Sequence, residues 1–132
     1  MVLVDTSVLI NFFKGVKNEK VDKLNEIISS RIPYGICNLV YMELLQGAKT
    51  EKEYELLQEY LGTQRFYELK HGQKSYETAA MNSFKCRRSG ITVRSTIDLI
   101  VAQIAIENDL FLLHDDSDYS HIAKIVTELK EY

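Results

Sequence analysis

The chain has 132 residues, 45% of them apolar, and carries a formal net charge of −3. This length supports one hydrophobic core and no linker-like segment divides it, so we predict one domain over residues 1–132. No secretory leader and no run near the roughly 18 apolar residues of a membrane span are visible, so we expect a cytoplasmic protein. The charge excludes nucleic-acid binding through an overall basic surface but leaves room for a local basic patch.

The first half of the chain alternates short β-branched runs with helical periodicity. In order, we predict a strand at 1–4, helices at 7–15 and 21–30, a strand at 33–37 and helices at 38–47 and 50–61. Asn38 is expected to cap the third of these helices, and Thr50 and Glu53 form a predicted capping box at the start of the fourth. Gly47 is expected to end the helix that Asn38 begins.

The second half continues the alternation. In order, we predict a strand at 65–69, a helix at about 74–89, a long helix at 97–109, a strand at 110–114 and a short helix at 119–125, with the last residues ambiguous. Gly90 is expected to stop the 74–89 helix. Alternating strands and helices imply a three-layer α/β/α sandwich with a mainly parallel sheet.

Carboxylates interrupt apolar segments at several points in this pattern. Asp5 follows the first strand, Glu43 and Asp98 lie within apolar helices, and the last long strand runs into Asp115, Asp116 and Asp118. Buried carboxylates are costly unless they are paired or bind a metal, and carboxylates close together raise one another's pKa values. A divalent cation explains the set, and oxygen-only ligands favour Mg²⁺ or Mn²⁺ over zinc.

Each carboxylate also has a structural explanation. Asp5 suits a helix cap, Glu43 suits an ion pair with Arg94 or a lysine, and Asp98 suits the first turn of a helix. The three aspartates near the last strand suit a solvated turn. Their joint position at predicted strand ends and helix starts favours one shared site.

Four segments resemble the PIN-domain ribonucleases, specifically the VapC toxins of toxin–antitoxin pairs. These segments are VLVDTSVLINFF, the Glu43–Leu44 pair followed by QG, RSTIDLIVAQIAIEND and LFLLHDDSDYSHIAKI. The resemblance covers nearly the whole chain, and the order and spacing of the motifs make it specific. It implies a PIN-like nuclease domain with acids matching Asp5, Glu43, Asp98 and Asp116 around Mg²⁺ or Mn²⁺.

The resemblance also assigns individual roles. Asp5 and Asp98 would be the most direct metal ligands, and Glu43 and Asp116 would complete the shell through water. Supporting roles fall to Thr6 and Ser7, which we expect to cap the first helix, and to Asp118. His114 replaces the usual Thr or Ser, Tyr119 replaces the usual phenylalanine, and the doubled Asp115–Asp116 leaves the register of the fourth acid open by one residue.

The implied activity is metal-assisted hydrolysis of phosphodiester bonds in structured RNA, such as tRNA or rRNA loops. Partners implied by the resemblance are a VapB-like antitoxin, which would cover VLINFF and EYELLQEYL, and a second copy of the chain. Basic residues before Asp98 could contact RNA, or could simply favour the C-terminal end of a helix dipole. They are Lys85, Arg87, Arg88 and Arg94.

Two other functions remain open at this stage. The first is a magnesium-dependent phosphoryl-transfer domain, although Ser7 stands where a dehalogenase-type phosphatase needs a second aspartate. The second is a catalytically silent PIN-like module that binds RNA or protein. His71 and His121 are expected to be surface residues, and no nucleophilic Ser/His/Asp or Cys/His arrangement is evident.

Overall fold

The computed structural model describes all residues from 1 to 132. It contains five short strands: β1 (Val2–Val4), β2 (Tyr34–Cys37), β3 (Phe66–Tyr67), β4 (Phe111–Leu113) and β5 (Lys130–Glu131). Seven helices separate them: α1 (Thr6–Phe13), α2 (Glu19–Ser29), α3 (Asn38–Gln46), α4 (Glu51–Gly62), α5 (Gln73–Arg88), α6 (Thr96–Glu107) and α7 (Ser117–Ile125). The ambiguous last residues thus form an edge strand.

The strands form one parallel sheet in the order β3-β2-β1-β4-β5. Helices α1 to α4 pack against one another, and α5, α6 and α7 form a second packed group. The predicted α/β/α sandwich with a parallel sheet is therefore confirmed. Because every strand runs the same way, the residues that follow β1, β2 and β4 meet at one edge of the sheet.

The central strands carry the core. Every residue of β1 is buried, and 27 buried apolar side chains from the sheet and both helical groups form one cluster. The neighbouring β4 contributes Leu112 and Leu113, which are fully buried. Both β1 and β4 are short strands with neighbouring strands on each side. The backbone of Asp5 and His114, the residues that follow them, therefore has little conformational freedom.

Two positions require glycine, one because of close packing and one because of its backbone conformation. A Cβ at Gly35 in β2 would collide with the Arg65 carbonyl and with the Tyr67 ring at 2.8 Å, so only glycine lets β2 and β3 pair there. Gly90 follows α5 with φ of +81°, and the amide of Ile91 donates to the Cys86 carbonyl at 2.9 Å. This is the Schellman geometry, and it confirms Gly90 as the stop of that helix.

Several predicted caps differ in the structure. Cys37, not Asn38, is the N-cap of α3, because β2 runs directly into the helix and Asn38 already has helical geometry. Thr50 caps α4 as predicted, its hydroxyl accepting from the Glu53 amide at 3.1 Å, but Glu53 reaches back to the amide of Lys49. No helix is long and apolar enough to span a membrane.

Candidate active site

Asp5 stands where β1 ends and α1 begins. Its amide donates to the Leu113 carbonyl at 2.9 Å, which joins it to the end of β4. Its side chain caps α1, with Oδ2 accepting from the Ser7 amide at 3.0 Å and from the Ser7 hydroxyl at 2.7 Å. Only 6% of Asp5 is exposed. The carboxylate is therefore held on the sheet edge and faces the ends of neighbouring strands.

The expectation that Thr6 and Ser7 cap α1 is wrong, because Asp5 is the cap and both hydroxyls have other partners. The Ser7 hydroxyl, besides donating to Asp5, accepts from the Asp115 amide at 2.9 Å. The Thr6 hydroxyl donates to Glu43 Oε1 at 2.9 Å. These contacts tie the turn after β1 to the β4–α7 loop on one side and to α3 on the other.

Glu43 reaches the same edge from the second turn of α3. Its partner is Thr6, so the predicted ion pair between Glu43 and Arg94 does not form. Cys37, at the end of β2, feels the charge of both Asp5 and Glu43, although burial is the main cause that raises the pKa of its thiol. Glu43 and Asp5 thus both lie near the end of β2.

A cluster of three aspartates completes the edge. Carboxylate oxygens of Asp98, Asp116 and Asp118 lie within 4.8 Å of one another, a spacing that suits a bound cation. Asp98 is in the first turn of α6, and Asp116 caps α7 by accepting from the Asp118 amide at 2.9 Å. Asp115 is exposed and outside the cluster. Among the doubled aspartates, Asp116 is therefore the one that faces Asp98.

The electrostatics of this edge are unfavourable without a cation. Burial, followed by the charges of Asp116 and Asp5, raises the pKa of Asp98 from 3.8 to about 6. Helix N-termini favour the negative charges of Asp5, Asp98 and Asp116, so the capping interpretation and the metal interpretation are compatible. Repulsion that remains despite these dipoles is what a divalent ion relieves.

Tyr119 contacts two of these acids. It is fully buried, and its hydroxyl donates to Asp5 Oδ1 at 2.9 Å. The same hydroxyl is near enough to Asp98 to favour its charged form, while burial and then the charges of Asp5 and Asp98 raise the pKa of the tyrosine. The phenol therefore stays neutral and acts as a hydrogen-bond donor.

Arg94 forms an ion pair with Asp118. Its Nε and Nη2 atoms donate to the two carboxylate oxygens at 3.2 and 3.0 Å. Asp118 is buried, so the interpretation of this aspartate as part of a solvated turn is wrong. The hydrogen bond and charge of Asp118 raise the pKa of the Arg94 guanidinium. Arg94 thus neutralises the most buried acid of the cluster.

His114 supports the loop that carries Asp116. Only 4% of it is exposed, its Nδ1 accepts from the Asp116 amide at 3.2 Å, and its Nε2 contacts Glu131 Oε2 at 2.9 Å. With Nδ1 accepting, Nε2 carries the proton and donates to Glu131. The edge strand β5 is thereby connected to the acidic cluster.

The other basic residues lie at the end of α5. Lys85, Arg87 and Arg88 occupy its last turn, as the helix-dipole explanation requires. The Cζ atoms of Arg87 and Arg88 lie 5.9 and 5.7 Å from the centroid of the Phe84 ring, and neither residue has an acidic partner. His71 and His121 are exposed, as expected.

Openings border the acidic edge on both sides. An open cavity of about 470 Å³ includes Asp118, Arg94 and His121 and extends to Gly90 after α5. A smaller cavity of about 160 Å³ includes Glu43 and the apolar side chains of Ile10, Phe13, Leu44 and Leu57. Asp118 is therefore reachable from the side of the basic end of α5, and Glu43 is reachable from the groove between α1, α3 and α4.

Sequence patterns did not reveal three of these contacts. The hydrogen bond between Asp5 and Tyr119 and the pairs Arg94–Asp118 and His114–Glu131 join residues that are distant in sequence or on unrelated elements. The sequence hinted at these contacts only through His114 and Tyr119, which differ from the residue types that the family resemblance implies at those two positions. All the predicted acids, in contrast, lie at or near one sheet edge.

The donor set fits a hard divalent cation. Every candidate ligand is a carboxylate, and three of them converge within 4.8 Å. Because Mg²⁺ and Mn²⁺ favour carboxylate and water oxygens, the three converging carboxylates, those of Asp98, Asp116 and Asp118, are suitable ligands for such an ion. Asp5, the other predicted direct ligand, is not part of this group and is linked to it through its hydrogen bond with Tyr119.

Comparisons with known proteins agree with the fold and the sequence motifs. The chain matches the PIN domain family over residues 2–125. It is 26% identical over 126 residues to ribonuclease VapC11 of Mycobacterium tuberculosis, covering 95% of this chain and 93% of that protein. This similarity confirms the resemblance to VapC-type PIN ribonucleases.

Solved structures share the fold across the whole chain. VapBC2 from Rickettsia felis, bound to a promoter DNA fragment, matches with a TM-score of 0.76 at 14% identity, covering 100% of this chain and 98% of that one. A toxin–antitoxin complex from Klebsiella pneumoniae matches with a TM-score of 0.70 at 20% identity, covering 98% and 99% of the two chains. With the family match extending from β1 to the end of α7, this chain belongs to the PIN domain family.

Proposed function

We propose that this protein is a metal-dependent endoribonuclease, the toxin of a type II toxin–antitoxin pair, acting in the cytoplasm. It hydrolyses phosphodiester bonds in structured RNA such as tRNA or rRNA loops. The observation that carries the proposal is the convergence of Asp98, Asp116 and Asp118 at one sheet edge of a PIN domain, with Asp5 near enough for its charge to act on Asp98. The similarity to VapC ribonucleases supports RNA as the substrate.

The residues have distinct proposed roles. Asp5 and Asp98 would hold Mg²⁺ or Mn²⁺, Glu43 and Asp116 would support the ion through water, and either Glu43 or Asp116 would accept the proton of the attacking water. A bound divalent ion supplies charge neutralisation at the scissile phosphate and makes the attacking water more acidic. Thr6 orients Glu43 through its 2.9 Å hydrogen bond, and Ser7 orients Asp5.

The test is cleavage of total cellular RNA by purified, antitoxin-free protein with Mg²⁺ or Mn²⁺. We expect discrete fragments that disappear with EDTA, and Asp5→Asn should lower the cleavage rate by about a hundredfold or more, since a neutral amide is a poor ligand for the ion. Asp115→Asn is the matched control, because Asp115 is exposed and outside the cluster. Unchanged cleavage by folded Asp5→Asn protein would contradict the proposal.

Arg87 and Arg88 are proposed to bind the RNA backbone. Both are exposed without acidic partners, and the open cavity beyond Gly90 leads from the end of α5 to Asp118. Arg94 is not expected to offer RNA a free positive charge in the metal-free protein, because Asp118 already neutralises its charge. Phosphate contacts depend on salt, since each one releases counterions from the nucleic acid.

We therefore expect Arg87→Gln with Arg88→Gln to raise KM severalfold with a smaller change in kcat, and to weaken the salt dependence of KM. Steady-state cleavage of one RNA substrate at several salt concentrations measures both effects. Lys70→Gln, at an exposed site on the β3–α5 connection, is the control for loss of positive charge. A salt dependence equal to that of the wild-type protein would contradict backbone binding at this site.

The antitoxin is proposed to cover the groove between α1, α3 and α4. Ile10, Phe13, Leu56 and Tyr60 are large apolar residues of α1 and α4 that are at least 38% exposed. The adjoining cavity reaches Glu43, so a peptide seated in the groove would border the acidic edge. Complexes with antitoxins among the structural neighbours support such a partner.

Coexpression with a VapB-like antitoxin tests the groove. Ile10→Asp should abolish copurification and inhibition while purified protein still cleaves RNA, because the site acids are unaltered. Met42→Asp is the control, because Met42 is another exposed apolar residue, on α3. If the effect of Ile10→Asp depends on the groove, Met42→Asp should leave copurification and inhibition intact. We also propose that the protein forms a homodimer, as the family resemblance implies. Light scattering of the purified protein would establish its mass in solution.

A further inference from the structure

Tyr119 is placed so that its hydroxyl must use a site carboxylate. The residue is fully buried in α7, and its ring centroid lies 5.0 Å from that of His114. The hydroxyl donates to Asp5 Oδ1 at 2.9 Å. Since a buried hydroxyl without an acceptor is costly, this hydrogen bond ties the position of Asp5 to α7.

Asp5 is already surrounded by donors when no cation is bound. The amide and hydroxyl of Ser7 donate to Oδ2 at 3.0 and 2.7 Å, and Tyr119 donates to Oδ1. A carboxylate has about four acceptor positions, so three of them are used. Only Tyr119 among these donors comes from a different element, and only it contacts the oxygen that Ser7 leaves free.

The need for such a donor follows from the neighbouring charges. Asp5 is 6% exposed and lies near Asp98, whose carboxylate converges with those of Asp116 and Asp118 within 4.8 Å. A buried carboxylate in this position depends on hydrogen bonds unless a cation compensates it.

We propose that the Tyr119 hydroxyl is a positioning group that stabilises the metal-free centre by neutralising part of the charge on Asp5 until a divalent cation binds. The inference rests on the proposed function only in assigning Asp5 to a metal centre. Its consequence has a definite sign: the hydroxyl contributes more to the metal-free protein than to the metal-bound protein. Removing it therefore weakens the fold without metal and tightens metal binding.

Tyr119→Phe in the full-length, antitoxin-free protein tests this. We expect Tm in EDTA to fall by about 5 °C, with a smaller fall in saturating Mn²⁺. Calorimetric titration with Mn²⁺ should give a Kd about three- to tenfold lower than that of the wild-type protein. Tyr67→Phe is the matched control, because Tyr67 is 7% exposed and its hydroxyl contacts only the Met1 sulfur at 3.9 Å.

Equal losses of Tm with and without Mn²⁺, or an unchanged or higher Kd, would overturn the proposal, because a purely structural hydroxyl gives those results. If Tyr119→Phe does not fold, 3-fluorotyrosine at position 119 tests the opposite direction. This stronger donor should weaken Mn²⁺ binding, and tighter binding would contradict us. A wild-type protein that binds neither Mn²⁺ nor Mg²⁺ would overturn the proposed metal-dependent activity, whereas normal wild-type binding with no change in the variants overturns only the role of Tyr119.

Discussion

At the scale of single residues, the site acids combine two roles. Asp5 and Asp116 are helix caps, Asp98 lies in the first turn of α6, and all three are close to other carboxylates. A cap is favourable to stability, but crowding with like charges is not, and here both act on the same side chains. Such unfavourable positions are typical of functional sites, where activity is retained at the expense of stability.

Asp98→Asn should therefore stabilise the metal-free protein. The pKa of Asp98 is raised from 3.8 to about 6, so its contribution to stability is fully present below pH 3.8 and is lost as pH rises through 6. At pH 7.5 the amide should raise the free energy of unfolding by on the order of 1 kcal/mol, after discounting for the partial exposure of Asp98.

Thermal unfolding in EDTA at pH 7.5 and at pH 4 measures this effect. The gain in Tm should be present at pH 7.5 and absent at pH 4, and the rise in Tm caused by Mn²⁺ should be lost. Asp115→Asn controls for the change of net charge. A metal-free Asp98→Asn protein that is less stable than wild type at pH 7.5 would contradict the repulsion described here.

At the scale of elements, helix ends follow one geometry with different residues. Four helices end in the Schellman arrangement, with a left-handed residue after the cap: Gly15, Arg31, Gly90 and Asp109. In α2, for example, the Ile32 amide donates to the Ile27 carbonyl at 3.0 Å and Arg31 has φ of +56°. Glycine adopts this conformation without the cost that a Cβ imposes.

Replacing glycine and arginine at these positions should have opposite effects. We expect Arg31→Gly to stabilise the protein by about 0.5 to 1 kcal/mol, and Gly90→Ala to destabilise it by about 1 kcal/mol. A Cβ at Gly90 meets no atom within 4 Å, so the second effect isolates the conformational cost. Chemical denaturation at constant pH gives both values, and the same sign for both variants would be inconsistent with this explanation.

At the scale of the whole molecule, groups with opposite pKa shifts set the pH dependence. Burial alone would raise the pKa values of Glu107 and Glu131, but hydrogen bonds to these carboxylates outweigh burial and hold both values below 4.5. The stability they contribute is present above pH 4.5 and is lost as pH falls through their folded-state values. Asp98 has the opposite dependence, because its pKa is raised to about 6.

The metal-free protein should consequently be most stable near pH 4.5, where the acids with lowered pKa values are charged, and should lose stability as pH rises toward 6 and the Asp98 contribution is lost. Divalent metal should move this maximum above pH 6, because a cation favours the charged form of Asp98 and compensates the repulsion. Tm measured against pH in EDTA and in Mg²⁺ tests both statements. Two superimposable profiles would show that no cation binds near Asp98.

Local patterns were sufficient for the order of elements and for the acids. Short β-branched runs, helical periodicity and Gly90 predict the strands and helices because these signals act within a few residues. They failed at Asn38, because β2 runs straight into α3 and Cys37 takes the N-cap position without a side-chain hydrogen bond. They also failed at Thr6 and Ser7, because Asp5 caps α1 with its own side chain. They also missed Arg31 and Asp109 as left-handed residues, since neither is glycine.

The sequence by itself therefore determined the α/β class, the parallel sheet and which carboxylates interrupt apolar segments. Only the tertiary structure decided that Asp116 and not Asp115 joins Asp98, that Arg94 pairs with Asp118 and not with Glu43, and that Tyr119 donates to Asp5 across 114 positions of the chain. Periodicity and propensity describe neighbours along the chain. Side-chain partners depend on how strands and helices pack, and a shift of one residue at a strand end turns a side chain from the site to solvent.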